Sequence, residues 1–157
     1  MAPLRPNSYA KSAMPDSDAY VDTSVLAAYY CPEPLSSAAE AALRGIDTPV
    51  ISNLTLVEFS SLIARKRRLK ELGARQATEV LHLFRGHTAE GLYRRITLGA
   101  EHFIQAQSLI ETMTISLRTL DALHLSVAMK ENLPILTADR ELASAAKRLK
   151  VRAILIA

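Results

Sequence analysis

Short apolar segments alternate with helix-length segments along this chain, and that order limits its fold more than any other feature. Strands are predicted at 19–21, 48–51, 91–97, 134–137 and 151–156, most of them continuously apolar. Between them the pattern predicts helices. The first is capped by Thr23 or Ser24 and runs to about Tyr30; the second opens at Ser36 or Ser37, ends at Arg44 and is closed by Gly45. A long helix capped by Ser52 or Asn53 reaches Leu69, with Leu54, Val57, Leu62 and Ile63 on its apolar side. Further helices are expected at 73–85, 99–113, 119–131 and 139–149. Strands without a wet face, separated by helices, mark a parallel sheet covered on both sides. The expected class is therefore α/β, three layers around a mainly parallel sheet.

A length of 157 residues suits one domain with a genuine core. With 49% hydrophobic and 22% charged residues, neither a disordered nor a membrane class is indicated. No apolar run approaches the roughly 18 residues needed to cross a bilayer. Residues 1–17 carry Pro3, Pro6 and Pro15 without periodicity and are predicted to be a flexible tail, leaving 18–157 as the domain. They hold no apolar core of a secretory signal, and with the single Cys31 this fits a cytoplasmic protein. Cys31 lacks a nearby His partner and reads as a packing or surface residue. Basic residues cluster at Arg65, Lys66, Arg67, Arg68 and Lys70, at Arg94 and Arg95, and at Lys147, Arg148, Lys150 and Arg152. Such clusters suit helix C-termini and solvated faces; beside an acidic metal site they would also suit phosphates.

Four acids stand singly in apolar surroundings: Asp22 in AYVDTSVL, Glu58 in LTLVEFSSL, Asp121 in RTLDALHLSVA and Asp139 in PILTADREL. A carboxylate there is costly without a partner. Two like charges 4 Å apart repel by about 1 kcal/mol in water and about 4 kcal/mol at an effective dielectric of 20. Asp22 and Asp139 follow strands and belong at the carboxyl edge of the sheet, where such folds bind ligands. Glu58 and Asp121 lie in helices able to project toward that edge. If the four converge, a divalent cation is the natural compensation. Each also has a plainer reading: helix caps for Asp22 and Asp139, a solvated helix residue for Glu58, and a first-turn residue for Asp121 if its helix starts at Thr119. His124, three residues after Asp121, suits a packed or supporting role better than a catalytic one. His82, His87 and His102 show no ligand spacing and read as surface or core residues. Arg118 suits either a phosphate contact or simple capping.

No phosphate-cradling glycine motif, GxSxG elbow or Cys–His pairing occurs. All-oxygen ligation suits Mg²⁺, with Mn²⁺ as an alternative, and metal-assisted phosphodiester hydrolysis. An aspartate-nucleophile phosphatase or dehalogenase is a rival, but that class wants DxDxT, and Thr23, Ser24 and Val25 follow Asp22. A non-catalytic binding module is opposed by the complete acidic set.

At these residues the chain resembles the PIN-domain ribonucleases, specifically the VapC-like toxins of toxin–antitoxin pairs. YVDTSVL (20–26), NLTLVEF (53–59), RTLDALHLSVA (118–128) and LTADREL (136–142) match the four acidic motifs in order, across about 19–157. The resemblance implies a PIN-like α/β/α fold and Mg²⁺-dependent endonucleolytic cleavage of RNA, restrained by a cognate antitoxin, often in a homodimer. It makes Asp22, Glu58, Asp121 and Asp139 the metal-binding acids, with Asp22 and Asp121 first among direct ligands and Ser24 and Thr137 as support. A PIN-fold RNA-processing nuclease outside toxin–antitoxin systems, or a non-catalytic PIN-like module, is the alternative. With only 5% aromatic residues a broad base-stacking platform is not expected, so specificity would rest on RNA shape or a few bases.

Overall fold

The computed structural model describes residues 18–157; the tail expected at 1–17 lies outside them. The chain runs β1 (Asp18–Val21), α1 (Thr23–Tyr30), α2 (Ser36–Arg44), β2 (Thr48–Ser52), α3 (Asn53–Arg68), α4 (Ala74–Ala89) and β3 (Arg94–Ile96). It continues through α5 (Ala100–Glu111), α6 (Thr119–Lys130), β4 (Ile135–Thr137), α7 (Arg140–Arg148) and β5 (Ala153–Leu155). All neighbouring strands pair in parallel, in the order β3-β2-β1-β4-β5.

Strand side chains alternate between two cores, as a pleated sheet requires. Ala19, Val21, Ile51 and Leu136 face a cluster built by α1 to α4, with Val25, Leu26, Phe59, Ile63 and Phe84. Tyr20, Val50 and Ile135 face the other side, where Leu109, Leu125, Val127, Leu142 and Ala146 of α5, α6 and α7 pack. Both faces are covered, which is why the central strands are apolar except at their ends. The expected three-layer α/β/α class is what forms.

Four local expectations differ. Ser52 caps α3, as one of two candidates, through a reciprocal bond with Thr55. The buried stripe of that helix, however, is Thr55, Phe59 and Ile63, while Val57 is 68% exposed. Stepping by three to four residues from Phe59 leads to Thr55 and Ile63, so Val57 falls on the opposite side. Asp22, rather than Thr23 or Ser24, caps α1. Helix α4 runs through Gly86 to Ala89, past the expected end at Arg85. Gly45 does end α2, but at φ −81° in the right-handed region.

Candidate active site

The chain builds β1, β2 and β3 outward in one direction, then crosses to place β4 on the other side of β1. The crevice beyond the carboxyl ends of β1 and β4 is thus the switch point, the usual ligand position in parallel α/β sheets. Asp22 leaves β1 there and is buried. Its Oδ2 accepts the Ser24 N–H at 3.4 Å, capping α1, and also accepts the Ser24 hydroxyl and the Thr137 hydroxyl, the latter at 2.9 Å. Those hydroxyls are themselves fixed. Ser24 Oγ accepts the Ala138 N–H and Thr137 Oγ1 accepts the Asp139 N–H, both at 2.9 Å. One oxygen of Asp22 therefore ties the β1–α1 junction to the β4–α7 junction. The other, Oδ1, stands 3.7 Å from His124 Nε2.

Glu58 reaches the same place from α3. Its Oε2 accepts the Thr23 hydroxyl at 2.8 Å and the His124 Nε2–H at 2.5 Å. Burial pushes the Glu58 carboxyl up, but the bond to His124, that residue's charge and the Thr23 hydroxyl outweigh it and hold the group below its ordinary range. His124 shows the mirror effect. Burial pulls it down, yet the Glu58 bond and the negative charges of Asp22, Glu58 and Asp121 leave it above its ordinary value.

Asp121 occupies the first turn of α6, because that helix starts at Thr119. A carboxylate is favourable at a helix N-terminus, so its poor mid-helix propensity does not apply. The group is nonetheless raised by burial and then by the charge of Asp139, with Asp22 adding to it and Arg118 opposing. Asp139 Oδ1 accepts the Glu141 N–H at 2.7 Å and the Leu142 N–H at 3.1 Å, capping α7. Arg118 is exposed and stands 3.5 Å from Glu141 on the rim.

The acids from β1, α3, α6 and α7 thus share one end of the sheet, with different degrees of commitment. Glu58 Oε2 is taken by protein donors and Asp139 Oδ1 by backbone. Asp121 feels both neighbouring aspartates. Among the described residues no three His, Cys, Asp or Glu side chains close into a metal cage. Two carboxylates with the remaining positions left to water suit Mg²⁺ or Mn²⁺, which keep much of their hydration and favour oxygen. A half-buried carboxyl raised by like charges is the electrostatic condition that a dication relieves. The donors present fit such an ion.

A PIN-domain family model matches residues 19–148. The chain belongs to the PIN-domain family. No curated protein sequence matches it. Among solved structures, Mycobacterium tuberculosis VapC20, described as a sarcin–ricin loop cleaving toxin, superposes with a TM-score of 0.65 at 21% identity, covering 80% of this chain and 93% of that one. FitAcB from Neisseria gonorrhoeae gives 0.65 at 20% identity, covering 86% and 95%. VapBC2 from Rickettsia felis, bound to a promoter DNA fragment, gives 0.64 at 16% identity, covering 89% and 99%. At these identities the likeness establishes the shared fold.

In this PIN domain the sequence had singled out His124 by its spacing from Asp121, but its partner is Glu58, on another helix. Tyr20 and Thr23 carried no site signal: one sits in an apolar strand, the other beside an acid that drew attention first. Cys31 is buried and its thiol is pushed up to about 11 by burial, which suits packing and not nucleophilic attack. His82 is exposed while His87 and His102 are buried. Among the basic residues, Lys66 pairs with Glu33 at 2.7 Å and Glu71 at 3.0 Å, and Arg94 with Glu131 at 3.2 Å. Among the described residues no helix is long and apolar enough to cross a membrane.

Proposed function

We propose that this PIN domain is a Mg²⁺-dependent endoribonuclease, with Mn²⁺ able to substitute, and that it acts in the cytoplasm as the toxin of a toxin–antitoxin pair. The observation that carries the reading is the crowding at the switch point, where Asp121 is raised by burial and by the charges of Asp139 and Asp22. Its support is family membership together with a fold shared with toxins such as VapC20 and with the FitAcB and VapBC2 complexes.

Asp22 Oδ1 and the Asp121 carboxylate would hold the ion. When bound, a metal of this class lowers the pKa of coordinated water and stabilises charge on the departing oxygen of a phosphodiester. Ser24 and Thr137 keep the other oxygen of Asp22 fixed, so that Oδ1 alone is presented. Asp139 adds negative charge while anchoring α7. Arg118, exposed on the rim, would meet a backbone phosphate by exchanging Glu141 for it. A cognate antitoxin would restrain the site, and the active form would be a homodimer.

Cleavage of an RNA pool with Mg²⁺, repeated with EDTA and followed by end-mapping, tests the activity. Asp22→Asn and Asp121→Asn should each abolish cleavage while far-UV circular dichroism stays that of the wild type. Undiminished cleavage by the folded double variant rejects the assignment.

A further inference from the structure

The residue that the nuclease reading leaves without a task is a buried histidine behind the site. His124 is 2% exposed and is held at both ring nitrogens. Nε2 bonds Glu58 Oε2 at 2.5 Å, and Nδ1 stands 2.7 Å from the Tyr20 hydroxyl. That hydroxyl lies 2.9 Å from Ser52 Oγ and 3.4 Å from Thr55 Oγ1, and Ser52 and Thr55 close the cap of α3 with each other at 3.1 Å. One continuous chain of bonds therefore runs from the start of α3 through β1 and α6 and back to Glu58 on α3 at the crevice.

Groups that merely fill a core do not need this. Leu or Phe at position 124 would avoid burying a polar ring, whose unpaired cost is about 1–3 kcal/mol. The geometry at Asp22 shows what the arrangement achieves. Nε2 is bonded to Glu58 and lies 3.7 Å from Asp22 Oδ1, too far for a bond that would consume that oxygen. It is close enough for the ring's charge to act on that oxygen, while Ser24 and Thr137 hold the other one.

We propose that His124 is a positioning residue, anchored by Tyr20 through Ser52 and Thr55, that locks Glu58 and, together with Ser24 and Thr137, holds Asp22 Oδ1 toward a divalent cation. The proposal rests on the nuclease reading for the identity of the site, but not for its test. Partners that orient primary ligands commonly change metal affinity or activity by about 10–100-fold when removed.

Mn²⁺ binding is measured by the loss of the free-ion electron paramagnetic resonance signal, on the wild type and on His124→Phe, His124→Gln and Tyr20→Phe, with folding checked by circular dichroism. His124→Phe should weaken Mn²⁺ binding by about 10–100-fold. His124→Gln, which keeps an N–H toward Glu58, should recover most of that loss, a rescue that volume filling does not predict. Tyr20→Phe, which removes only the anchor, should weaken binding by about 3- to 10-fold, the worth of one hydrogen bond. In cleavage assays kcat should fall with Mn²⁺ affinity while KM for RNA stays constant. Folded His124→Phe with wild-type Mn²⁺ affinity overturns the assignment. If His124→Phe does not fold, unchanged affinity in Tyr20→Phe overturns it instead. A wild type that binds Mn²⁺ but cleaves no RNA sinks the nuclease reading and leaves this one standing, whereas a wild type that binds no Mn²⁺ sinks both.

Discussion

At the residue scale, the two readings of an isolated acid turn out to be compatible. Asp22 and Asp139 both cap helices, and each does so with one oxygen, leaving the second free for other work. Sequence cannot separate these roles because capping and ligation favour the same residue at a strand–helix junction. Substitution can. Asp139→Ala should cost about 0.5–2 kcal/mol through the lost α7 cap, whereas Asp139→Asn, itself a good cap, should leave the melting temperature near that of the wild type. Cleavage lost in Asp139→Asn at unchanged stability would identify the charge as the working feature. Asp121 behaves in the opposite sense. Its carboxyl is raised by burial and by Asp139, so the ionised form is disfavoured in the folded protein. Asp121→Asn should therefore raise the melting temperature of the metal-free protein, though only slightly, because solvent screens the crowding at this half-buried position. A lower melting temperature would mean that the first-turn position in α6 outweighs the crowding. The acids were legible one by one; their shared polar support was not. Tyr20 and His124 lie 104 residues apart and meet only through the fold.

Element by element, the sheet and most helices follow from the pattern of apolar runs, and the departures have local causes. The third strand shrinks from the expected 91–97 to Arg94–Ile96, because Gly91 turns at φ 77° and Tyr93 points into the core of the first face. Glycine scarcity misleads at helix ends. Lys70, Asn132 and Lys150 take left-handed conformations at φ 61°, 52° and 60°, positions that usually signal glycine. The N–H groups of Glu71, Leu133 and Val151, one residue on, close back to Lys66, Ala128 and Ala146 at 2.9 Å each. These ends are set by the backbone bonds that the last turn must satisfy; Asn132 suits such a turn, but at Lys70 and Lys150 the residue type gives no warning. Gly86 misleads the other way, since it reads as a helix stop yet lies inside α4. A Cβ at Gly86 would meet nothing within 4 Å. Gly86→Ala should therefore stabilise the protein by about 0.5–1 kcal/mol, measured as a higher urea midpoint at unchanged slope. A lower midpoint would show that the open space beside α4 is needed in the folded state.

For the whole molecule, one buried histidine on each face of the sheet meets a tyrosine hydroxyl, and these two are biased in opposite directions. On the face of α1 to α4, His87 Nδ1 stands 2.7 Å from the Tyr30 hydroxyl, which lies 2.8 Å from that of Tyr93. Burial lowers the pKa of His87, with only Glu90 opposing. His124, on the other face, is raised above its ordinary value. The consequences for stability have opposite signs. A histidine with a lowered folded value binds protons more readily when unfolded, so the His87 contribution falls as pH drops below 6.5. One with a raised folded value contributes fully below 6.5 and loses that contribution as pH climbs through the raised value. Glu58, held below 4.5, adds stability above that pH and loses it as pH falls through its folded value. The metal-free protein should thus melt highest near neutrality, with a shallow decline on each side arising on different faces of the sheet. Thermal melts in EDTA across the acid and alkaline range should show His87→Gln flattening the limb between about 6.5 and 4.5 while leaving the alkaline limb alone. His124→Gln should flatten the alkaline limb and, below about 4.5, also the part of the acid limb that belongs to Glu58, because the histidine's bond and charge hold that carboxyl down. If both variants kept both limbs, the pH response would belong to exposed groups, and neither buried network would be coupled to folding.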